Sequence, residues 1–515
     1  VIVSLLGGLI ATNYQARRAE RRFQQVRKLA NTFLFEINDE LRALPGSIKA
    51  REKIVKTALE YLDNLAQEAG DDAALQNELA EAYVRVGTVQ GYPYDQNRGD
   101  NAAALVSFQK ALAIYENLAR RDPSNQKLLD ALANHHLRIG ALHNESGRIA
   151  EAEKSYRETI RLVEKMIAGQ MEVSTWLVTT SHSRLSELAR RAGDLQEALN
   201  HQRRGFDFAV DWAAKHPGDA AQNLLTLSYS RLASSLLRLG RLEESLEAYK
   251  SSLQMTEQSA AKAPESSYVR RQLLSRYEAL GEVLGDPDDP NLGRADEALD
   301  YFRKALALAE SLSATDPNNA QDKREVALGA MYVAMMLRDS NPTEAAGLYR
   351  KSLTISEALS KSAPENVEFR HTLALANRGL AYALWRMGKP QEALPGLKTA
   401  LEYQLANFAK DPGRTWSHRN IRRTYEVIGD LLLEQGEDDA ALENYRQARA
   451  ITEKLLAIHP NDPFLRRDEA YCHESFGHFH LTLAGRQRLS RQQRISAARE
   501  ALAEYQHSLQ IWNDW

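Results

Sequence analysis

The stretch GALHNESGRIAEAEKSYRETI, residues 140–160, decides how this chain folds. Within it Gly140, Gly147, Ala152, Tyr156 and Thr159 set a register: a small residue, a turn residue seven on, Ala five further, an aromatic four further. The register returns as Ser186, Gly193, Ala198, Gln202 and Gly205, then as Ala233, Gly240, Ser245, Tyr249 and Ser252. It returns again as Gly429, Gly436, Ala441, Tyr445 and Ala448. A self-similar spacing with a period of about 48 residues marks a repeat array. Two antiparallel helices approach closely only where side chains are small, so Gly, Ala and Ser recur at their crossing. The aromatic is expected to fill the gap between neighbouring pairs.

Outward from this stretch the chain reads as about nine helix pairs over residues 71–512. Their small crossing residues are Gly87, Gly140, Ser186, Ala233, Gly281, Val333 or Ala334, Ala381, Gly429 and Gly477. Short turns such as Asp122-Pro123, Ala263-Pro264, Asp316-Pro317, Ala363-Pro364 and His459-Pro460 separate the pairs, with proline ending one helix and Asn, Asp or Ser capping the next. Insertions interrupt the period at 90–99, at 285–293 (GDPDDPNLG) and at 484–497. GDPDDPNLG is acidic, but it carries two prolines and lacks the alternating Asp spacing of a calcium loop, so it reads as a solvated loop.

Composition agrees. At 515 residues the chain exceeds one ordinary core, aromatics are only 7%, and the abundant residues are helix formers. The formal charge of −3 gives no field to recruit nucleic acid, so no nucleic-acid partner is expected. Cys472 is the sole cysteine, which excludes an intrachain disulfide.

The N-terminal 70 residues read differently. VIVSLLGGLIAT (1–12) is uncharged and is followed by Arg17, Arg18, Arg21 and Arg22. Twelve helical residues cover about 18 Å against a hydrocarbon core of about 30 Å. Residues 1–14 are therefore read as the C-terminal part of a transmembrane helix; the rival reading, a signal-peptide remnant, lacks the small-residue cleavage pattern. The expectation is a single-pass, inner-membrane anchor. In 15–70, Phe23, Val26, Ala30, Phe33 and Ile37 step by threes and fours until Pro45-Gly46 stops the helix. That seam suits either a dimerising juxtamembrane coiled coil, which would make a homodimer, or one long helix packed on the first repeat. A second helix with Ile54, Ala58, Leu59, Leu62 and Leu65 on one face completes a leading hairpin.

No catalytic machinery is legible: Gly-rich phosphate loops, Gly-x-Ser-x-Gly and His-Glu-x-x-His are absent. Cys472, His473, His478 and His480 cluster without convergent spacing, and His135, His136 and His143 read as ordinary packing, so no metal, cofactor or catalytic residue is assigned. One feature suits binding. Arg85, Arg138, Arg184 and Arg231 each stand two residues before the small crossing residue in the first four pairs. First helices line the concave face of such arrays, so this ladder would offer guanidiniums to a carboxylate or phosphate. Alternatively it is a solvated face paired with Glu81, Glu145 or Glu187. A protein or peptide partner in the groove is expected.

The repeats GALHNESGRIAEAEKSYRETI and GDLLLEQGEDDAALENYRQA resemble the tetratricopeptide repeat, whose unit is about 34 residues. The resemblance implies an all-α solenoid, or superhelix, of helix pairs; the extra length is expected as added turns on the second helix. The Lys and Asn pattern of tetratricopeptide carboxylate clamps is not matched, since Leu137, Ala141 and Ser183 stand there. The stretch Arg17–Gly91 also resembles the segment after the membrane helix in bacterial serine/threonine protein kinases with C-terminal tetratricopeptide repeats. That implies a non-catalytic sensor or interaction region of a kinase lying upstream, with the repeats on the extracytoplasmic side; the basic residues beside the membrane favour the opposite side. The alternative is a stand-alone membrane-anchored tetratricopeptide scaffold.

Overall fold

The computed structural model describes residues 72–93 and 100–514, apart from 172, 365, 411–414, 459 and 461, and isolated positions between 32 and 60. Among the described residues all regular structure is helical, with no strand. From Ala73 onward, eighteen helices among the described residues follow one another as antiparallel pairs, the fold of a tetratricopeptide-like solenoid. They divide into two compact units, residues 1–181 and 182–515.

In the first unit α1 (Ala73–Gly91) pairs with α2 (Asn101–Arg121), and α3 (Gln126–Glu145) with α4 (Ile149–Ala168). The division falls inside α5 (Trp176–Arg191). The second unit continues with α6 (Leu195–Lys215), then the pairs α7 (Asp219–Arg238) and α8 (Leu242–Lys262), α9 (Ser267–Gly285) and α10 (Ala295–Thr315), and α11 (Ala320–Leu337) and α12 (Pro342–Ser362). It ends with α13 (Val367–Arg386) and α14 (Pro390–Lys410), α15 (Thr415–Glu434) and α16 (Asp438–Ile458), and α17 (Pro463–Gly485) and α18 (Arg491–Asp514).

The register has a physical basis at each position. Gly147, Gly193, Gly240, Gly388 and Gly436 all have φ between +71° and +83°, the left-handed conformation that ends a helix without a Cβ penalty. The following amide closes each motif by donating back into the helix, as Arg148 N–H does to the His143 carbonyl at 2.8 Å. At the crossings, a Cβ on Gly140 would lie 2.6 Å from the Tyr156 ring, and one on Gly429 would lie 2.7 Å from the Tyr445 ring. The aromatic therefore packs on the small residue of its own pair, and it also reaches the next pair as expected: Phe302 stacks on Tyr332 at 4.9 Å, and the Tyr445 ring lies 6.1 Å from Phe476. Tyr349 packs onto Gly379 of the next pair. Hydroxyls on second helices tie the pairs further: Thr159 donates to the Ala133 carbonyl at 3.1 Å, and Ser245 to the Ala233 carbonyl at 2.7 Å.

The added length is shared by both helices. Fully described second helices such as α6, α8, α10 and α12 run to 21 residues, while first helices α3, α7 and α13 run to 20. The insertion at 484–497 is mostly absorbed as helix, in the end of α17 and the start of α18.

The expected single-pass inner-membrane anchor is corrected. Among the described residues no helix is long and apolar enough to cross a membrane. Residues 1–14, and the seam of Phe23, Val26, Ala30, Phe33 and Ile37, lie outside the described residues.

Candidate functional site

The acidic insertion GDPDDPNLG is not a solvated loop. It leaves the end of α9 and lies along the inner face of the second unit, where arginines at the end of α11 and on α15 and α17 hold it. Its shape is set locally. Pro287 cannot continue α9, and the Asp286 carboxylate accepts the Asp288 N–H at 2.8 Å. The Asn291 side-chain amide donates to the carbonyls of Asp286 (2.8 Å) and Asp289 (3.0 Å). The loop base is zipped by Leu292 N–H to the Val283 carbonyl (3.0 Å) and Arg294 N–H to the Leu284 carbonyl (2.8 Å).

This leaves Asp288 and Asp289 at the tip. Arg338, just beyond α11, donates to the Asp288 carboxylate at 2.9 Å, and Arg423 on α15 ion-pairs with it at 3.7 Å and bonds its carbonyl. Asp289 accepts from Arg467 on α17 at 2.8 Å and from Arg419 on α15 at 3.3 Å, with Arg423 at 3.8 Å. Burial alone would raise the Asp288 carboxyl, but the charges of Arg423, Arg338 and Arg378 outweigh it and hold it well below the usual range. Asp286 goes the other way: burial, with the negative charges of Asp288 and Asp289, pushes it up to about 7. Burial brings the Arg378 guanidinium on α13 down to about 10 despite Asp288, while its Nη1 donates to the Asn420 side chain at 3.1 Å.

The loop separates two cavities. One of about 350 Å³ is lined by Arg190, Arg419, Arg467, Asp286 and Phe464 among others; the second, of about 380 Å³, includes Asp288, Arg338, Arg378, Arg423, Tyr382 and Tyr471. Phe464 lies under three guanidiniums, those of Arg190 (4.9 Å), Arg467 (5.0 Å) and Arg419 (5.3 Å). Arg190 on α5 also bonds both carboxylate oxygens of Asp462 at 3.3 Å, so the first helix of the second unit meets the N-terminus of α17.

The arginine ladder is divided between the units. Arg85 and Arg138 lie half-buried in the first, where Arg138 donates to Thr88 at 3.4 Å and stacks over Tyr92 at 4.9 Å. Arg184 and Arg231 lie half-buried in the second, close enough that burial and then the charge of Arg184 bring Arg231 down to about 10. The arginines on the acidic loop are other residues. A signal for them existed: Arg419 and Arg467 occupy the same register one repeat apart.

Cys472 is buried against Thr452, with its thiol pushed up to about 12 by burial, and takes no part in the histidine cluster. His135 is also packing: buried, bonded to the Phe108 carbonyl at 2.6 Å, and lowered to about 4 by burial. His473, Glu504 and His507 do bring ligand atoms within 4.8 Å of one another, but Arg449 shares the same carboxylate at 3.0 Å.

Family models of the tetratricopeptide repeat match residues 371–454, from α13 into α16, and residues 225–260, within α7 and α8. The chain thus carries tetratricopeptide repeats, and its regular structure is all-helical over the described residues. No curated protein matches its sequence. Among solved structures it is similar to aspartyl phosphate phosphatase F from Bacillus subtilis at 13% identity, covering 82% of this chain and 93% of that one, with TM-score 0.44. It is similar to a Rap protein complexed with competence and sporulation factor at 13% identity, covering 84% and 99%, with TM-score 0.42. It is also similar to human IFIT1, solved as a dimer with m7Gppp-AAAA, at 16% identity, covering 85% and 90%, with TM-score 0.33.

Proposed function

We propose that the chain is a non-catalytic scaffold that binds a protein or peptide partner along the inner face of its second unit. The observation that supports this reading is the pair of cavities there, lined by arginines and tyrosines rather than filled by core side chains. Arginine and tyrosine are the residues in which recognition surfaces are enriched. A photoreactive amino acid at Tyr382 or Tyr471 should cross-link the partner, and one at the exposed Glu357 on α12 should not. Cross-linking from Glu357 alone would overturn the reading.

A second reading adds a serine/threonine kinase upstream in the same polypeptide, with this region as its sensor. It is supported by the resemblance of Arg17–Gly91. Sequencing the reading frame upstream of Val1 tests it: in-frame kinase motifs support it, and their absence ends it.

A further inference from the structure

We propose that the inner face of the second unit is a receptor for a partner segment with two adjacent carboxylates, and that Asp288 and Asp289 occupy this receptor in cis. The inference rests on the reading of that face as the binding surface, and it names the ligand class.

The donor set supports it first. Arg338, Arg419, Arg423 and Arg467 come from three different helical pairs and converge on two consecutive aspartates, with half-buried Arg378 adding its charge. The loop is already braced by its own backbone and by Asn291, so holding its shape does not require them. What four guanidiniums in two groups recognise is a pair of carboxylates.

The set also exceeds what the loop uses. Arg467 is 1% exposed and lines the cavity of about 350 Å³. One of its nitrogens donates to Asp289, while Nε and Nη1 make no hydrogen bond within the protein. Nε of Arg338, beside the other cavity, makes no hydrogen bond either, though it lies 3.8 Å from the Asp339 carboxylate. An enclosed guanidinium with two donors left unpaired by the loop, beside a cavity, is suited to a larger acidic segment than two aspartates.

The occupant can also be exchanged. Asp289 keeps 38% of its side chain exposed and Asp288 keeps 23%, while the zipped base at Val283, Leu284, Leu292 and Arg294 holds the hinge apart from the tip. Swapping one carboxylate pair for another leaves every arginine paired, so no buried charge is stranded once exchange is complete. A tethered occupant competes at an effective concentration of about millimolar, which weakens any incoming peptide until the tip is neutralised.

The test uses the full chain and a fluorescein-labelled peptide of sequence GDPDDPNLG, followed by anisotropy. The double substitution Asp288→Asn, Asp289→Asn should raise peptide affinity about tenfold or more over the unchanged chain. A peptide with Asn in place of its two central Asp should bind neither protein. Adding Arg338→Gln and Arg423→Gln should abolish the gain. Equal binding of the acidic and neutral peptides, or no gain in the double variant, overturns the inference. If the double variant loses its helical circular dichroism, the unchanged chain decides: with millimolar acidic peptide, the side-chain carboxyl carbon resonances of Asp288 and Asp289 should shift as they leave the arginines. Unchanged resonances there overturn the inference equally, as does loop displacement by a single-stranded oligonucleotide but not by the peptide. Inner-face cross-linking to a partner without an acidic segment would sink this inference and leave the binding surface standing. Loss of both results would remove the binding surface as well.

Discussion

Arg467 and Asp289 lie 178 residues apart in sequence and 2.8 Å apart in space. The guanidinium is enclosed, while the carboxylate keeps 38% exposure, so solvent screens one partner and not the other. Asp289→Asn should therefore cost more than a surface ion pair, about 1–3 kcal/mol, because it strands part of a buried charge. The midpoint of urea unfolding reads this directly. An unchanged midpoint would mean that Phe464 and the remaining carboxylates suffice to neutralise Arg467.

Asp462 has two tasks that substitution can separate. Its carboxylate caps α17 through Phe464 N–H at 2.9 Å and also holds Arg190 at 3.3 Å. Asp462→Asn keeps the cap and loses the charge; Asp462→Ala loses both. Arg190 retains Glu187 at 2.7 Å, so the Asn variant should be the milder, with Ala worse by about 1 kcal/mol, the usual value of a helix cap. Equal stability of the two variants would show that the cap contributes nothing.

Glycine tests the register, since one substitution should have opposite signs at two positions. Gly140→Ala places a methyl 2.6 Å from the Tyr156 ring, which is fully buried and has no room to yield. Overpacking should destabilise by about 1–3 kcal/mol, more than the gain of roughly 1 kcal/mol in helix propensity. Gly347, inside α12, has nothing within 4 Å of an added Cβ. There the propensity gain should stand alone, and Gly347→Ala should stabilise by about 1 kcal/mol. Thermal unfolding of both variants checks it; the same sign at both sites would break the packing argument.

What was legible in the sequence and what was not divides along range. Gly140, Gly147, Ala152 and Tyr156 are readable because the constraints that select them act within one helix pair, and the structure buries Ala152 and Tyr156 completely. The distribution of extra length was misread because periodicity counts residues per pair and does not say which helix takes them. The loop site was not legible for a different reason. Asp288 meets Arg423 across 135 residues, a distance set by the accumulated turn of successive pairs and not by any local pattern. The ladder of Arg85, Arg138, Arg184 and Arg231 shows the converse: a shared register places residues on equivalent faces, but those four are divided between two units.

The carboxyls of the loop make stability depend on pH with opposite signs. Asp288 is held low in the folded chain by Arg423, Arg338 and Arg378, against the opposing effect of burial. Its stabilisation is present above the ordinary aspartate range near 3.8 and is lost as pH falls below it. Asp286 is raised from 3.8 to about 7, so between those values the folded chain keeps a proton that the unfolded chain has released. Stability from this group therefore falls as pH rises, by at most about 1.4 kcal/mol per unit across that window, and is constant above it. Glu282 and Glu278 on the same helix are raised by burial as well and act in the same direction. Asp286→Asn removes the titration and keeps the acceptor for the Asp288 N–H, so its turn survives. Urea midpoints at pH 5 and pH 8 should show the unchanged chain losing more stability than the Asn variant over this interval. Parallel losses would mean that Asp286 is ionised in the folded protein throughout, with its charge already balanced by the arginines that hold its neighbours.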